Sequence, residues 1–256
     1  MDKITSKNNN IVKDTKKLIS SSSARQREGL FVLEGARLCF DVLNSVYKVK
    51  YLLVTERALE KYGEEINSLC DVSDSAYIIT EEISDKLSDT ASPQGIFAVC
   101  KVQENAAEYS KKLIALDNVQ DPSNVGAVIR TAEALGVDGV ILYNCCDVYN
   151  PKVLRASMGS VLRIKLFVCD DLETELSSMK DGYKIYSTVP NSTAVKITDV
   201  DFSVPTVCVI GNEANGVEEN IKALSDALIT IPMLGRAESL NASVAASITM
   251  WEMMRK

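Results

Sequence analysis

Three polar loops in the C-terminal half of the chain carry side chains whose types and spacing could do chemistry. Each follows an apolar run, and they read DPSNVGAVIRTAEALG, VIGNEANGV and IPMLGRAESLNASVAASI. Their charged and amide groups can donate and accept hydrogen bonds, and ligands of open α/β sheets bind beyond the carboxyl ends of strands. The candidate catalytic residues are Asn124 and Arg130 in the first loop, Glu213 in the second, and Ser239 and Asn241 in the third.

Each loop, taken singly, also has a purely structural interpretation. Arg130 lies in an apolar stretch of a predicted helix, which indicates either a solvated charge or a half-buried guanidinium that needs a partner. Glu213 alone is typical of a helix-capping carboxylate. Ser239 or Asn241 alone is typical of an N-cap before a helix of small residues. Only the combination of the three loops indicates a site.

The composition excludes several kinds of chemistry. The chain has no histidine, so it lacks His-based triads, the common zinc sites and the usual base near neutral pH. Gly211 and Gly216 fit neither the Rossmann fingerprint nor a phosphate-binding loop, so a dinucleotide-dependent enzyme is a weak alternative. Seven scattered cysteines without a Cys-x-x-Cys pair predict buried, reduced thiols.

Strands and helices alternate along the whole chain and must position these loops. Alternation at this spacing predicts βαβ units and parallel sheets. A polar stretch that includes residues 105–112 interrupts this alternation. SSSSAR, near the N-terminus, is predicted to be a short loop. We therefore predict two α/β domains, at 1–104 and 113–256, joined by a linker at 105–112.

Charge is unevenly distributed along the chain. The net charge of −7 argues weakly against bulk nucleic-acid binding. However, the first 27 residues contain seven basic and two acidic side chains, and PKVLRASMGSVLRIKLFV contains four basic residues and no acidic one. Such patches can steer a polyanion, although a solvated tail and an ordinary helix surface would look the same. With no apolar run of bilayer length and no secretory signal, the expected location is the cytoplasm.

The order of the three loops resembles the three sequence motifs of the SpoU/TrmH branch of the SPOUT methyltransferases. The matching patterns are Asn-x5-Arg, Gly-Asn-Glu-x2-Gly and Ser-Leu-Asn, in that order. The N-terminal pieces NNNIVKDTKKL, FVLEGARLCFDVL and SPQGIFAV resemble the L30e-like substrate-binding domain of the same family. Together the resemblance covers nearly the whole chain.

The resemblance implies a C-terminal parallel-sheet SPOUT domain with a deep trefoil knot, preceded by a smaller L30e-like α/β domain. A knot is very rare, so periodicity would not predict it. The resemblance also implies S-adenosylmethionine as the cofactor, bound in the knot largely by backbone groups. The cofactor-binding positions carried over are Gly211, Ile231 and Leu240, with Ser187, Val189, Met233 and Gly235 nearby.

The implied reaction is methyl transfer to a ribose 2′-hydroxyl of RNA, with no metal. The family assigns the counterpart of Arg130 to the hydroxyl proton. Because arginine is effectively always protonated, stabilising the forming alkoxide is the easier role. Asn124 would orient Arg130 or the ribose, and Glu213 would pair with or position the arginine. Ser239 and Asn241 would order their loop and contact the target.

The implied partners are RNA and a second copy of the chain. A separate L30e-like domain favours 23S rRNA, with tRNA or a non-catalytic RNA-binding role as alternatives. The basic N-terminal arm and the second basic stretch would meet phosphates. The candidate RNA-binding residues are Lys13, Lys16, Arg27, Lys152, Arg155 and Arg163.

Overall fold

The computed structural model describes residues 1–90, 92–103 and 108–255. Contacts divide the chain into two compact units. The first comprises Met1–Glu104 with Tyr149–Leu162, and the second comprises Asn105–Val148 with Arg163–Lys256. Of the predicted linker at 105–112, residues 105–107 lie outside the described residues, and Lys112 already begins a strand.

The first unit contains a five-stranded mixed sheet. Its strands, in chain order, are β1 (Asp2–Ile4), β2 (Leu30–Glu34), β3 (Val49–Thr55), β4 (Ala76–Ile79) and β5 (Ile96–Lys101). The spatial order is β1-β4-β3-β5-β2. β5 pairs antiparallel with both of its neighbours, so the expectation of a fully parallel sheet is wrong for this unit. Alternation of strand and helix does not determine strand direction, because a chain can re-enter a sheet from either end.

Helices replace the predicted polar loop near the N-terminus. Helix α1 (Asn10–Ser20) is followed at once by α2 (Ser22–Glu28). The hydroxyl of Ser21 accepts from the Ala24 amide at 3.3 Å and so begins α2. The buried Arg25 guanidinium donates to the carbonyls of Leu18 and Ile19 at 2.6 and 3.1 Å, which satisfies the end of α1. The basic N-terminal segment is therefore folded into the unit.

The remaining helices of the first unit lie between its strands, apart from the last. They are α3 (Ala36–Asp41), α4 (Glu56–Lys61), α5 (Gly63–Asp71), α6 (Glu81–Leu87) and α8 (Pro151–Ser157). The last, α8, packs against β2. The ring of Tyr149 stacks on Phe31 at 4.4 Å, and its hydroxyl lies 3.3 Å from that of Tyr47. Segment 149–162 thus contributes to the core of the first unit, although the chain around it belongs to the second.

The second unit is a seven-stranded, entirely parallel sheet. Its strands are β6 (Lys112–Asp117), β7 (Gly139–Tyr143), β8 (Lys165–Cys169), β9 (Lys184–Thr188), β10 (Val195–Lys196), β11 (Thr206–Ile210) and β12 (Ala227–Thr230). The order is β10-β12-β9-β11-β6-β7-β8. The central strands β6 and β11 are almost continuously apolar and buried, as expected where helices cover both faces.

Four helices accompany this sheet: α7 (Pro122–Leu135), α9 (Leu172–Met179), α10 (Glu219–Leu224) and α11 (Ala242–Met254). α7 begins at the Asp121 cap with Pro122 in its first turn. α7 and α11 pack together, which explains the small residues of the last helix. Among the described residues, no helix is long and apolar enough to cross a membrane.

All seven cysteines are free thiols, as predicted. Cys39, Cys100 and Cys208 are buried, whereas the other four are only partly buried. Burial raises the pKa of the Cys100 and Cys208 thiols to about 12. These two thiols therefore stay protonated and serve as small apolar core residues.

Candidate functional site

A cavity of about 640 Å³ opens at the carboxyl ends of three neighbouring strands of the second unit. The strands are β12, β9 and β11, which are adjacent in the sheet and parallel. Their carboxyl ends therefore meet at one edge, and the loops that follow them line the cavity together with the start of α11. This is the position at which open parallel sheets bind ligands.

One hydrogen-bonded chain joins a residue from each of the three sequence motifs. Asn241 donates its Nδ2 to Oδ1 of Asn124 at 3.0 Å, and Asn124 donates its Nδ2 to Oε1 of Glu213 at 2.6 Å. Asn241 also caps α11, because its Oδ1 accepts from the amides of Ser243 and Val244. Because the cap uses Oδ1 of Asn241, its Nδ2 is the atom that faces Asn124 and donates to it. The series of hydrogen bonds therefore runs from Asn241 through Asn124 to Glu213, which accepts.

Arg130 takes no part in this series of hydrogen bonds. Its side chain is exposed, and within the described residues it forms no hydrogen bond or ion pair. Of the two alternatives for Arg130, the structure therefore shows the solvated charge and not the half-buried guanidinium, and the expected contact with Glu213 is absent among the described residues. Six residues of helix turn a side chain about 120° away from its starting direction. Asn124 thus faces the interior of the unit while Arg130 faces solvent.

The loop that carries Glu213 is a tight turn that needs its glycines. Asn212 and Gly216 exchange two backbone hydrogen bonds, of 3.1 and 2.9 Å, and Gly216 has a φ of +71°. A Cβ on Gly211 would lie 2.1 Å from the backbone carbon of Gly216 and from the nitrogen of Val217. Glycine is therefore required at position 211, because the backbone of Gly216 and Val217 approaches too closely for a side chain. Gly211 also lines the cavity.

Both ends of this loop are fastened to the end of β6. Asn212 donates its Nδ2 to the Asn118 carbonyl at 2.8 Å, and Asp117 accepts the Glu218 amide at 2.8 Å. Asp117 is fully buried, and its Oδ1 has no hydrogen-bond partner among the described residues. Burial raises the pKa of this carboxyl above its ordinary value. Sequence reasoning missed Asp117, although an acidic residue that ends an apolar strand was a usable signal.

The predicted cofactor-binding residues divide into two groups. Five of the seven line the cavity, namely Val189, Gly211, Ile231, Met233 and Leu240. Ser187 does not, because it is buried in β9 with its hydroxyl 2.8 Å from that of Ser225. Gly235 is exposed outside the lining. Glu213 and Ser239, predicted as catalytic, line the cavity as well.

The predicted RNA-binding residues at the N-terminus lie on the surface of the first unit. Lys13 is exposed. Lys16 is half-buried and lies 3.7 Å from Asp89. Arg27 is exposed and pairs with Glu28 at 2.9 Å. These contacts are exposed ion pairs, which an incoming phosphate can displace at low cost.

The three predicted RNA-binding residues of the second basic stretch are placed differently. Lys152 is exposed on α8. Arg155 is half-buried, and its Nη1 is buried without a hydrogen-bond partner among the described residues. Arg163 belongs to the second unit, where its Nε pairs with Glu133 at 3.1 Å. The six residues therefore do not form one patch within a single unit.

The parallel sheet, the cavity at the carboxyl ends of its strands and the hydrogen-bonded motif residues define an α/β protein with a ligand site at its sheet edge. A model of the SpoU rRNA Methylase family matches residues 111–251. A model of the MRM3-like substrate binding domain matches residues 9–98. The chain belongs to the SpoU rRNA Methylase family.

Relatives of known name cover the chain almost from end to end. The 23S rRNA (guanosine(2553)-2′-O)-methyltransferase RlmP of Bacillus subtilis is 33% identical, over 99% of both chains. A crystal structure of an AdoMet-bound rRNA methyltransferase from Sinorhizobium meliloti is 27% identical with a TM-score of 0.89, covering 99% of this chain and 97% of that one. A solved RNA 2′-O ribose methyltransferase is 27% identical with a TM-score of 0.80, covering 99% and 98%.

These matches confirm the predicted family, the α/β fold class and the activity. The chain is an RNA methyltransferase, and S-adenosylmethionine is its expected cofactor. The cavity fits that cofactor, since its volume of about 640 Å³ lies within the range of about 300–1,000 Å³ that is usual for small-molecule sites. Leu228 and Val217 offer apolar walls for a base, and Glu213 and Lys222 offer charged groups.

Proposed function

We propose that this enzyme methylates a ribose 2′-hydroxyl in 23S rRNA. The observation that carries the proposal is the chain from Asn241 through Asn124 to Glu213, which ends at the lining of the cavity. The named activity of the Bacillus subtilis relative, aligned over 99% of this chain, supports the substrate. An enzyme that acts on ribosomal RNA belongs in the cytoplasm.

The cofactor is held by the loops at the sheet edge in this proposal. Gly211, Ile231 and Leu240 hold it mainly through their backbone, with Val189 and Met233 beside them. When bound, S-adenosylmethionine supplies an electrophilic methyl group on its sulfonium. The chain's own residues must then position the ribose and accommodate the proton of a very weak acid.

Arg130 acts in its protonated form in this mechanism. Its exposed guanidinium has no partner within the described part of the chain, so its donors are available to the ribose oxygen or an adjacent phosphate. There it stabilises the negative charge that develops on the ribose oxygen as the hydroxyl proton passes to solvent water and the oxygen takes the methyl group from the sulfonium. Asn124 has another task, because its amide oxygen and nitrogen are both occupied. It positions Glu213 and the start of α11.

A homodimer with a knotted catalytic domain completes the proposal. Val244, Ile248 and Trp251 are 45, 37 and 61% exposed, and they follow one another on a single face of α11. An apolar stripe of this kind is typical of a surface that a second copy covers. The trefoil knot remains an expectation from the family resemblance.

Transfer of tritiated methyl groups tests the proposal. Unmodified 23S rRNA, 16S rRNA and tRNA are offered to the wild type and to Arg130→Ala. We expect label in 23S rRNA, resistant to alkali at the modified ribose, and a loss of about 100-fold in the variant. Label found only in tRNA would show that tRNA, and not 23S rRNA, is the substrate. Equal labelling by the wild type and the variant would show that Arg130 takes no part in the reaction. If no RNA is labelled although both proteins bind the cofactor, a non-catalytic RNA-binding role is favoured.

A further inference from the structure

Three side-chain amides form a cluster beside the cavity of the second unit. Asn118, Gln120 and Asn144 follow the carboxyl ends of β6 and β7, which are adjacent parallel strands. The side chain of Asn212, which lines the cavity, donates to the backbone carbonyl of Asn118 at 2.8 Å. Gln120 also lies on the loop that leads into α7, shortly before Asn124. The amide cluster of residues 118, 120 and 144 therefore adjoins both the cavity and the motif residues.

Hydrogen bonds within the amide cluster determine how each amide is oriented. Nε2 of Gln120 donates to the backbone carbonyl of Asn144 and, at 2.8 Å, to Oδ1 of Asn118. Nδ2 of Asn144 donates to the same Oδ1 at 3.1 Å. Because a backbone carbonyl can only accept, the nitrogen of the Gln120 amide must face it. The orientations of the other two amides follow from that of Gln120.

The backbone holds the amide cluster in place. Asn118 and Asn144 have φ values of +60° and +46°, a left-handed conformation that asparagine adopts more readily than most residues. The Asn118 amide donates to the Tyr143 carbonyl at 2.9 Å, and the Cys146 amide donates to the Val119 carbonyl at 3.1 Å. The two loops are thus joined to each other. Left-handed residues that the surrounding structure holds in this way are often found at functional sites.

The polar side-chain atoms of the amide cluster that have no partner are one nitrogen and two oxygens. They are Nδ2 of Asn118, Oε1 of Gln120 and Oδ1 of Asn144, and none of them bonds to a described residue. Gln120 and Asn144 are exposed, and Asn118 is half-buried. One donor and two acceptors complement the Watson–Crick edge of guanine, which offers O6 as an acceptor and N1–H and the N2 amino group as donors. The same edges of adenine, cytosine and uracil each offer a single donor group.

We propose that the amide cluster reads the base of the methylated nucleotide and that this base is guanine. Nδ2 of Asn118 donates to O6, Oε1 of Gln120 accepts from N1–H, and Oδ1 of Asn144 accepts from the N2 amino group. A guanine bound in this way is unpaired, because the protein occupies its Watson–Crick edge. The inference rests on the proposed ribose methylation and adds to it the identity of the base and the residues that select it.

The base of the labelled nucleotide is the first test. RNA that the wild type has labelled with tritiated methyl groups is digested with alkali, and the resistant dinucleotide is converted to nucleosides. We expect the label in 2′-O-methylguanosine. Label on the ribose of another base would overturn the inference and leave the proposed methylation of 23S rRNA standing. Labelled 2′-O-methylguanosine in tRNA alone would support the inference and overturn the proposed substrate.

Replacing the target guanosine with inosine tests the contact with Asn144, because inosine differs only in lacking the N2 amino group. The wild type should prefer the guanosine RNA about fivefold in kcat/KM, the effect of one neutral hydrogen bond. Asn144→Gly, which tolerates the left-handed backbone, should lose that preference. A preference that persists in Asn144→Gly would overturn the inference.

Asn118→Asp is the matched variant within the amide cluster. It keeps the oxygen that accepts from Gln120 and Asn144 and replaces only the free nitrogen with an oxygen. Because guanine and hypoxanthine both carry O6, this variant should be slower than the wild type on both RNAs and should keep the preference for guanosine. Wild-type rates in Asn118→Asp, or loss of the preference in both variants, would overturn the assignment of atoms.

Short single-stranded RNAs give the same comparison without turnover. Oligouridines with one central guanosine or inosine are titrated with the wild type and with Asn144→Gly, and binding is followed by fluorescence anisotropy. The wild type should bind the guanosine RNA about fivefold more tightly, and the variant should bind both equally. Should this difference occur while no methyl transfer is detected, the base reading stands and only the proposed activity fails. Equal affinities of the wild type for the two RNAs would overturn the inference.

Discussion

Both polar atoms of the Asn124 amide are engaged in the fold, each by one side-chain hydrogen bond. Its oxygen accepts from Asn241 and its nitrogen donates to Glu213. The side chain is only 6% exposed, so these bonds are shielded from water. Asn124 therefore acts through Glu213 and the cap of α11.

Replacing Asn124 with aspartate should uncouple the three motifs. The new carboxylate would face Glu213 without a donor, so the contact of 2.6 Å becomes repulsive. We expect kcat/KM to fall at least about tenfold and stability to fall by about 1–3 kcal/mol. Methyl-transfer kinetics and urea unfolding measure the two effects. Asn44→Asp, at an exposed position of the first unit, is the control. An Asn124→Asp enzyme with normal kinetics would contradict the positioning role.

The buried carboxyl of Asp117 should make stability depend on pH in a defined direction. Burial raises its pKa in the folded state above the unfolded value of about 3.9. Its contribution is therefore fully present below that unfolded value and is lost as pH rises through the folded pKa. Relative to Asp117→Asn, the wild type should lose stability over this interval and then stay level. Urea unfolding between about pH 4 and 7 checks the slope, and parallel curves for the two proteins would contradict it.

At the scale of elements, the loop of residues 211–218 links the site to the sheet. It leaves β11, turns tightly at Gly216 and is held by Asn118 and Asp117 at the end of β6. Glu213 projects from this turn to meet Asn124 at the start of α7. The loop thus determines both the shape of the cavity and the position of the acceptor carboxylate.

Gly211→Ala should disrupt this loop. The added methyl would lie 2.1 Å from backbone atoms that cannot move independently. We expect a loss of more than about 2 kcal/mol in unfolding free energy and weaker cofactor binding by calorimetry. Gly182→Ala is the matched control in the same unit, since nothing lies within 4 Å of its new Cβ. Similar stabilities of the two variants would refute the steric requirement.

At the scale of the whole molecule, the two compact units do not correspond to two uninterrupted stretches of chain. Segment 149–162 leaves the parallel-sheet unit after Val148 and returns to it at Arg163. In between it places Tyr149 against Phe31 and α8 against β2. The RNA-binding candidates Lys152 and Arg155 therefore belong to the same unit as Lys13, Lys16 and Arg27.

The proposed dimer predicts that Trp251→Glu yields a monomer. A charge on the apolar stripe of α11 would have to be buried without a partner in the interface, which is strongly unfavourable. Light scattering after size-exclusion chromatography should give about twice the chain mass for the wild type and the single-chain mass for the variant. Val72→Glu adds the same charge at another exposed apolar position, 54% exposed in the first unit, and should leave the mass unchanged. A monomeric wild type would end the dimer proposal.

The sequence by itself determined the alternation of strands and helices and the three motifs, because these depend on local periodicity and residue type. Only the tertiary structure decided which motif residues meet. In the structure Asn124 points inward to Glu213, whereas Arg130 points outward. Their spacing on the helix gives the angle between the two side chains, but only the packing of the helix decides which face is buried. It also reversed β5 and placed α8 on β2. Strand direction and long-range packing depend on contacts between distant segments, which no local pattern encodes.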